Sequence, residues 1–391
     1  MIHITDKSQC CGCSACVQRC PKQCISLKED KEGFLYPIVD EQTCIDCGLC
    51  GKVCPIINPN EPREPLKVYA AKHKDDEIRL KSSSGGIFTL LAEQIINEGG
   101  VVFGARFDEY WEVMHDYTET KEGLAVFRGS KYVQSRIGNT YQQAENFLKQ
   151  GRKVMFTGTP CQIAGLKRFL RKEYENLLAV DFVCHGVPSP KVWRMYLDET
   201  LARQGIGKNT VLSHAMLRQK FIRSIDFRSK STGWKKYSFA LMLTKASADG
   251  EENSVFLSTV FEENLFMQAF LNDYILRSSC YQCYHKTGRS GADITIGDFW
   301  GICNAIPEFD DDMGTSLLIL YVLEKAQIER MTEIDIREVT LNEGIDGNYA
   351  YENSVQLPEL KRLYWLFYEK KVNILSYPVA YRIIRKLSKI F

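Results

Sequence analysis

The chain has 391 residues, and 50 Lys+Arg against 49 Asp+Glu leave a formal charge of +1. With 45% hydrophobic and 25% charged residues it has the composition of a soluble globular protein long enough for two or three domains. The balanced charge excludes a charge-driven nucleic-acid binder, and no run of 18 apolar residues offers a membrane span. The opening MIHITDKSQCC lacks the basic and apolar segments of a secretory signal, so a cytoplasmic home is expected. In that reducing compartment the 15 cysteines, ten of them within residues 10–54, read as metal or redox ligands rather than as disulfide partners.

In chain order, residues 1–57 form a small cysteine-dense domain. Cys10, Cys13, Cys16 and Cys20-Pro21 give C-x2-C-x2-C-x3-C-P, and Cys44, Cys47, Cys50 and Cys54-Pro55 repeat the spacing. Three thiolates at this spacing wrap one face of a cubane, and the fourth is carried over to the other cluster. Cys10, Cys13, Cys16 and Cys54 are therefore expected to hold one [4Fe-4S] cluster, and Cys44, Cys47, Cys50 and Cys20 a second. Paired zinc sites are the alternative, but zinc does not favour this doubled pattern. Cys11 and Cys24 fall outside it and are expected to be bystanders. The segment resembles the bacterial dicluster ferredoxins over its whole length.

Residues 58–66 (NPNEPREPL) read as a stiff, extended linker. A larger domain, 67–325, then alternates strand-like and helix-like segments. Strands are expected at 68–71, 100–107, 153–157, 177–183, 293–296 and 317–323, and helices at 86–97, 140–150, 162–172, 190–203 and 265–272. A strand-rich excursion is expected at 211–257. This order predicts an α/β fold, α+β over the whole chain, with at least part of its sheet parallel. Residues 326–391 are expected to be a helical region ending in a basic amphipathic tail. Lys371, Arg382, Arg385, Lys386 and Lys389 in that tail could lie on an anionic membrane surface or face outward from a docked helix.

Four features of the large domain bear on chemistry. Ser82-Ser83-Ser84-Gly85-Gly86 opens a helix and suits either an anion or plain capping. Arg128-Gly129-Ser130-Lys131-Tyr132-Val133-Gln134-Ser135 suits a phosphorylated cofactor or an ordinary turn. Thr157-Gly158-Thr159-Pro160-Cys161-Gln162 lies between strand and helix, where α/β sheets bind ligands, but has no P-loop lysine. Cys161 and Cys184 each follow a buried strand, and Cys280 and Cys283 have pair spacing. These four thiols could hold a third [4Fe-4S] cluster, with Cys303 a competing ligand; a zinc knuckle and buried structural thiols are the alternatives.

SSSGGIF, GSKYVQS, FTGTPCQIAGL, DFVCHGVPSP, CYQC and DITIGDFWG occur in order over residues 67–325, and this region resembles the coenzyme F420 hydrogenase/dehydrogenase β-subunit family. The resemblance implies FAD and a [4Fe-4S] cluster. It marks Cys161, Cys184, Cys280 and Cys283 as ligands of that cluster. It marks Ser83, Ser84, Gly85, Gly86, Ser130, Lys131, Tyr132, Gln134, Ser135, Thr157, Gly158, Thr159 and Gln162 as the flavin loops. It also implies an oxidoreductase that passes single electrons through its clusters to FAD, which exchanges a hydride with a deazaflavin-like or other organic acceptor. Lys131 is a candidate catalytic residue contacting phosphate or the flavin ring, and His185 a candidate proton donor or hydrogen-bond partner of the cluster. Asp298 and Trp300 line the site or pack beneath it. A redox partner protein or a small-molecule donor or acceptor is implied, and an oligomer is allowed. The ferredoxin module in cis sets this chain apart from a bare β subunit. Fused members of the family also occur in bacteria that make no F420, often among exopolysaccharide genes. The alternatives are therefore a non-catalytic electron-transfer subunit or a redox accessory of exopolysaccharide biosynthesis.

Overall fold

The eight-stranded sheet at the centre of the fold follows from period-two burial in its strands. Leu177 and Ala179 face one layer of the core while Leu178 and Val180 face the other, and Val154 and Phe156 alternate with Met155 in the same way. Strands buried on both faces need a helical layer on each side. A computed structural model describes the chain apart from residues 208–210, 247–251, 327, 329–330 and 370–391. The expected basic tail therefore lies outside the described residues.

At the N-terminal end, helix α1 (Ala15–Arg19), the hairpin β1 (Ile25–Glu29) and β2 (Leu35–Val39), and helix α2 (Leu49–Lys52) surround the cysteine runs. The large sheet comprises β3 (Lys67–His73), β4 (Val101–Phe107), β5 (Val113–Thr118), β6 (Val154–Thr157), β7 (Leu177–Phe182), β11 (Ile294–Asp298), β12 (Ser316–Leu320) and β13 (Ile334–Glu338). Its order is β13-β3-β12-β11-β7-β6-β4-β5. The central run β11-β7-β6-β4 is parallel, as the alternation of strands and helices predicts, and antiparallel strands complete both sides. A second sheet of β8 (Ile222–Ser229), β9 (Ser238–Ala246) and β10 (Glu252–Val260) is the expected β excursion. The mixed α/β class is thus as predicted, while the short polar edge strands β5 and β13 were not anticipated.

Helix α3 (Asp76–Leu80) leads into α4 (Ile87–Asn97), which covers one face of the sheet. Helices α5 (Thr140–Lys149) and α6 (Pro160–Leu170) cover the other. Helices α7 (Pro190–Arg203), α8 (His214–Phe221) and α9 (Leu265–Leu271) pack with β8–β10 in a separate core. Trp193, fully buried there, lies 5.0–6.2 Å from the rings of Phe107, Tyr196, Phe227, Phe239 and Phe266, and its indole N–H donates to the Trp111 carbonyl at 2.7 Å.

Residues 58–66, expected as a linker, run extended along the body and are bonded to it. Arg63 donates to the Ala292 carbonyl at 2.8 Å, and Asn60 to the Arg289 carbonyl at 3.0 Å. The N-terminal segment is also docked. The Gln18 side-chain oxygen accepts from the backbone N–H groups of Tyr141 and Gln142, completing the start of α5 from 123 residues away. Gly165 lets α6 approach this segment, since a Cβ there would stand 2.7 Å from the Cβ of Cys13.

One buried network fixes the corner between β5, β6 and α6. His115 Nε2 lies 3.0 Å from the Thr157 carbonyl, which can only accept, so this nitrogen carries the proton. Nδ1 then accepts from Ser135 Oγ at 2.8 Å, and Ser135 accepts from Gln162 Nε2 at 2.9 Å. Gln162 and Thr159 form a capping box at the start of α6.

Two stability measurements test these contacts. Trp193→Ala should cost about 3–5 kcal/mol in urea unfolding, the range for emptying an aromatic core site. Burial drives the His115 pKa down to about 4, with the Thr157 hydrogen bond opposing it. The unfolded chain therefore takes up a proton near pH 6.5 that the native chain refuses. The stability due to neutral His115 is complete above pH 6.5 and is lost as pH falls toward 4, by up to about 3 kcal/mol. His115→Gln should lack this slope; equal slopes in both proteins between pH 4 and 6.5 would rule the network out.

Candidate functional site

Because β4, β6, β7 and β11 are parallel, their carboxyl ends share one edge of the sheet, and β3, antiparallel to β12, ends there too. The segments singled out in the large domain gather along this edge: 82–86 beside β3 and β12, 157–161 after β6, 183–190 after β7, and 299–301 after β11.

Cys161, Cys184, Cys280 and Cys283 line one recess of about 480 Å³, part of it open to solvent. Cys161 lies in the first turn of α6 and Cys184 just beyond β7, while Cys280 belongs to a short 3-10 turn, Ser278–Gln282. Burial pushes the Cys280 thiol up to about 12 and that of Cys184 well up, while the Cys161 thiol is raised first by its hydrogen bond with the Cys11 thiol and then by burial. The Val187 N–H donates to Cys280 Sγ at 3.4 Å. The buried Lys286 ammonium donates to the carbonyls of Cys184 and Ala350 at 2.7 and 2.6 Å. Cys303, the competing ligand, is exposed and stands outside the recess.

Three further side chains line the recess. His185 Nε2 sits 2.7 Å from an Asp273 carboxylate oxygen, with its ring edge-on to Phe270. His285 is 2% exposed, neither ring nitrogen has a hydrogen-bond partner among the described residues, and burial drives its pKa down to about 4. Cys11 also lines it, and its buried thiol interacts with both Cys13 and Cys161. Cys11, outside the doubled spacing, thus spans the gap between the N-terminal cysteines and the recess.

In the N-terminal segment Cys20, from the first run, lines a separate recess with Cys44, Cys47 and Cys50 from the second. Cys24 lines it as well, its sulfur 3.3 Å from that of Cys20. Burial pushes the Cys16 thiol up to about 12, and Cys10 and Cys54 add to the shift. The chain's own geometry thus brings the fourth cysteine of each run to the other run. Cys47 is exposed, whereas Cys13 is buried against the core of the large sheet, and Cys16, Cys50 and Cys54 are buried within the N-terminal segment.

The residues expected to cradle a flavin separate into groups. Ser83 Oγ accepts from the N–H and hydroxyl of Ser130 at 2.7 and 2.8 Å, joining loops 82–86 and 128–135. Ser84 and Gly85 are bonded to Thr315 and Ser316; any Cβ on Gly85 would meet the Ala71 carbonyl at 2.4 Å. Gly86 caps α4 in the left-handed conformation at φ +87°, with no side chain accepting from the first turn. Lys131 turns back on its own loop, donating to the carbonyls of Val126, Arg128 and Gly129 at 2.9–3.2 Å, and burial lowers its pKa to about 7. Tyr132 meets Arg228 and Phe270. Gln134 faces the cysteine-rich segment, donating to the Cys11 carbonyl at 3.1 Å. Thr157, Gly158, Thr159, Gln162 and Ser135 belong to the His115 corner. Asp298 pairs with buried Arg228 at 2.9 Å, and Trp300 stacks on Trp234.

His115, Arg277, His285 and Lys286 were missed in the sequence. The basic pair His285-Lys286 lies two residues after Cys283, which was the one available signal.

The family of the coenzyme F420 hydrogenase/dehydrogenase β subunit matches in two parts, its C-terminal region over residues 151–334 and its N-terminal region over residues 68–140. A 4Fe-4S dicluster domain matches residues 9–56. A subunit of the F(420)H(2) dehydrogenase of Methanosarcina mazei is 26% identical over 196 residues, which is 46% of this chain and 55% of that protein. The coenzyme F420-dependent sulfite reductase of Methanocaldococcus jannaschii is 25% identical over 254 residues, 60% of this chain and 39% of that one. The chain thus spans about half the length of these curated relatives, or less. A chain in the F420-reducing [NiFe] hydrogenase complex of Methanosarcina barkeri is 17% identical, with a TM-score of 0.44, over 81% of this chain and 91% of that one. The chain belongs to the coenzyme F420 hydrogenase/dehydrogenase β-subunit family, an oxidoreductase family, and carries a 4Fe-4S dicluster domain ahead of the β-subunit region.

Proposed function

We propose that the chain is an iron–sulfur flavoprotein oxidoreductase. Cys10, Cys13, Cys16 and Cys54 hold one [4Fe-4S] cluster, Cys20, Cys44, Cys47 and Cys50 a second, and Cys161, Cys184, Cys280 and Cys283 a third; the loops at 82–86, 128–135 and 157–162 hold FAD. Bound clusters of this kind supply single-electron transfer, and a bound flavin supplies hydride exchange with an organic acceptor. The observation carrying the reading is the convergence of four thiols from three distant stretches on one recess, whose fifth thiol, Cys11, reaches back to Cys13.

The chain's own groups suit an anionic cluster there. The Val187 N–H points at a ligand sulfur, the Lys286 ammonium sits beside Cys184, and His285 offers two unused ring nitrogens. A zinc ion would need its donors drawn to one point. Here the sulfurs ring a volume, and among the described residues no three His, Cys, Asp or Glu side chains converge to hold a single ion. For FAD, the support is the uncapped start of α4, whose N–H groups suit phosphate, beside the Ser83–Ser130 junction. Lys131 is assigned to keeping its turn folded, because its three donors are spent on that turn. His185, oriented by Asp273, is assigned to holding a proton at the recess. The names of the two F420-linked relatives make a deazaflavin the first acceptor to test.

Anaerobically purified protein should hold about twelve irons and one FAD, four irons for each cubane. Cys184→Ser and Cys283→Ser should each remove about four irons, while Cys303→Ser removes none. Full iron in both ligand variants would reject the third site. About eight irons and no flavin after reconstitution would leave an electron-transfer subunit.

A further inference from the structure

Arg277 is fully buried, yet no carboxylate is among its bonding partners in the described residues. Its Nε donates to the Cys10 carbonyl at 2.7 Å, one Nη to Gln134 Oε1 at 2.9 Å, and the other to the Leu35 carbonyl at 3.0 Å and toward Cys10 Sγ at 3.5 Å. The rings of Tyr36 and Phe34 lie 4.2 and 5.5 Å from the guanidinium carbon. On the other side, the Cys280 N–H donates to the Arg277 carbonyl at 2.9 Å, and the Arg277 N–H to the Val187 carbonyl. The side chain thus reaches the first cysteine of the N-terminal run from a backbone one turn ahead of Cys280. Gly12 keeps the space open, since a Cβ there would come within 2.8 Å of both Arg277 and Gln134.

Removing a guanidinium from water costs several kcal/mol unless an anion answers it. Burial acts against the charge of Arg277, and the thiols of Cys10, Cys11 and Cys280 are among the groups that sustain it. Dipoles of three carbonyl oxygens and two rings offset part of that cost. The full counter-charge available at this place is thiolate sulfur, on both sides.

We infer that Arg277 is the shared counter-charge of two iron–sulfur sites, the one at Cys10, Cys13, Cys16 and Cys54 and the one at Cys161, Cys184, Cys280 and Cys283. The second of these rests on the function proposed above. A cubane held by four thiolates is an anion and gains one negative charge on reduction, so a neighbouring cation stabilises its reduced form. Arg277 therefore makes both sites easier to reduce. Because one cation serves two anions, an electron on either site weakens the compensation left for the other. The arrangement favours passing one electron across over storing one on each side. In that passage one site is oxidised and the other reduced by the same electron, and no bond or proton changes place. The contacts of Arg277 all lie on the Cys10 and Cys280 sides, which makes the site at Cys20, Cys44, Cys47 and Cys50 an internal control.

The test is a potentiometric titration of the full-length, cluster-loaded protein, followed by electron paramagnetic resonance. In Arg277→Gln the reduced-to-oxidised ratio at a fixed potential should fall at least tenfold at both inner sites, which is about 59 mV for one electron. The outer site should not move, and Arg277→Lys should shift the inner sites less. Gln134→Glu leaves Arg277 in place but gives it a private carboxylate, so it should lower both inner sites as well. It carries the test if Arg277→Gln fails to assemble. Unchanged inner potentials, or an equal shift of all clusters, would overturn the inference. If the wild-type protein proves to hold only two clusters, the function proposed above fails on iron content, and the sharing fails with it. A shift confined to the Cys10 site would then still show Arg277 answering that cluster alone.

Discussion

Parallel strands deliver their carboxyl ends to one edge, and the chemistry of this chain hangs from that edge. Cys161 and Cys184 come from neighbouring strands, β6 and β7, and reach the same recess because each follows its strand end by a few residues. The 3-10 turn with Cys280 needs no strand of its own, since the Val187 carbonyl and N–H bind Arg277 and Cys280 to the segment after β7. Antiparallel pairing through the centre would have sent alternate cysteines to opposite edges.

The cysteine-rich segment is seated by the same edge. Its α1 packs on α6 against Gly165, Gln18 completes the start of α5, and the β1–β2 hairpin leans on α7, where Arg194 pairs with Glu29 at 2.7 Å. These contacts bury Cys13, which lies against Cys11 and so toward the recess, and leave Cys47 at the surface.

What was legible in the sequence was local or periodic. The doubled C-x2-C-x2-C-x3-C-P spacing is a short-range pattern, and buried strands such as Val154–Thr157 and Leu177–Phe182 announce themselves as apolar runs. The edge strands β5 (VMHDYT) and β13 (IDIRE) escaped because an edge position leaves most of their residues only half-buried or exposed, and so as polar as a loop's. Long-range partners were illegible. Nothing near His115 in the sequence points to Ser135 or Gln162, and nothing near Arg277 points to Cys10, 267 residues away. The partners of Lys131 were illegible too: its ammonium is bonded to three carbonyls of its own loop, which the loop's polar composition does not announce.

Electrostatics explains why the inner and outer cysteine groups are furnished so differently. An anion exposed to water is compensated by solvent, and the outer group at Cys44 and Cys47 has Met1, Lys22 and Asp46 beside the apolar Ile45, Val39 and Leu49 in the lining of its recess. A buried anion has no such help, and there the chain supplies Arg277 and Lys286, both buried and both bonded to neutral carbonyls rather than to carboxylates. A buried cation with neutral partners is costly, and negative charge placed beside it offsets that cost. The four thiols of the recess and Cys10 are where that charge can be placed. On the function proposed above, Arg277 and Lys286 would answer the negative charge of the two inner sites.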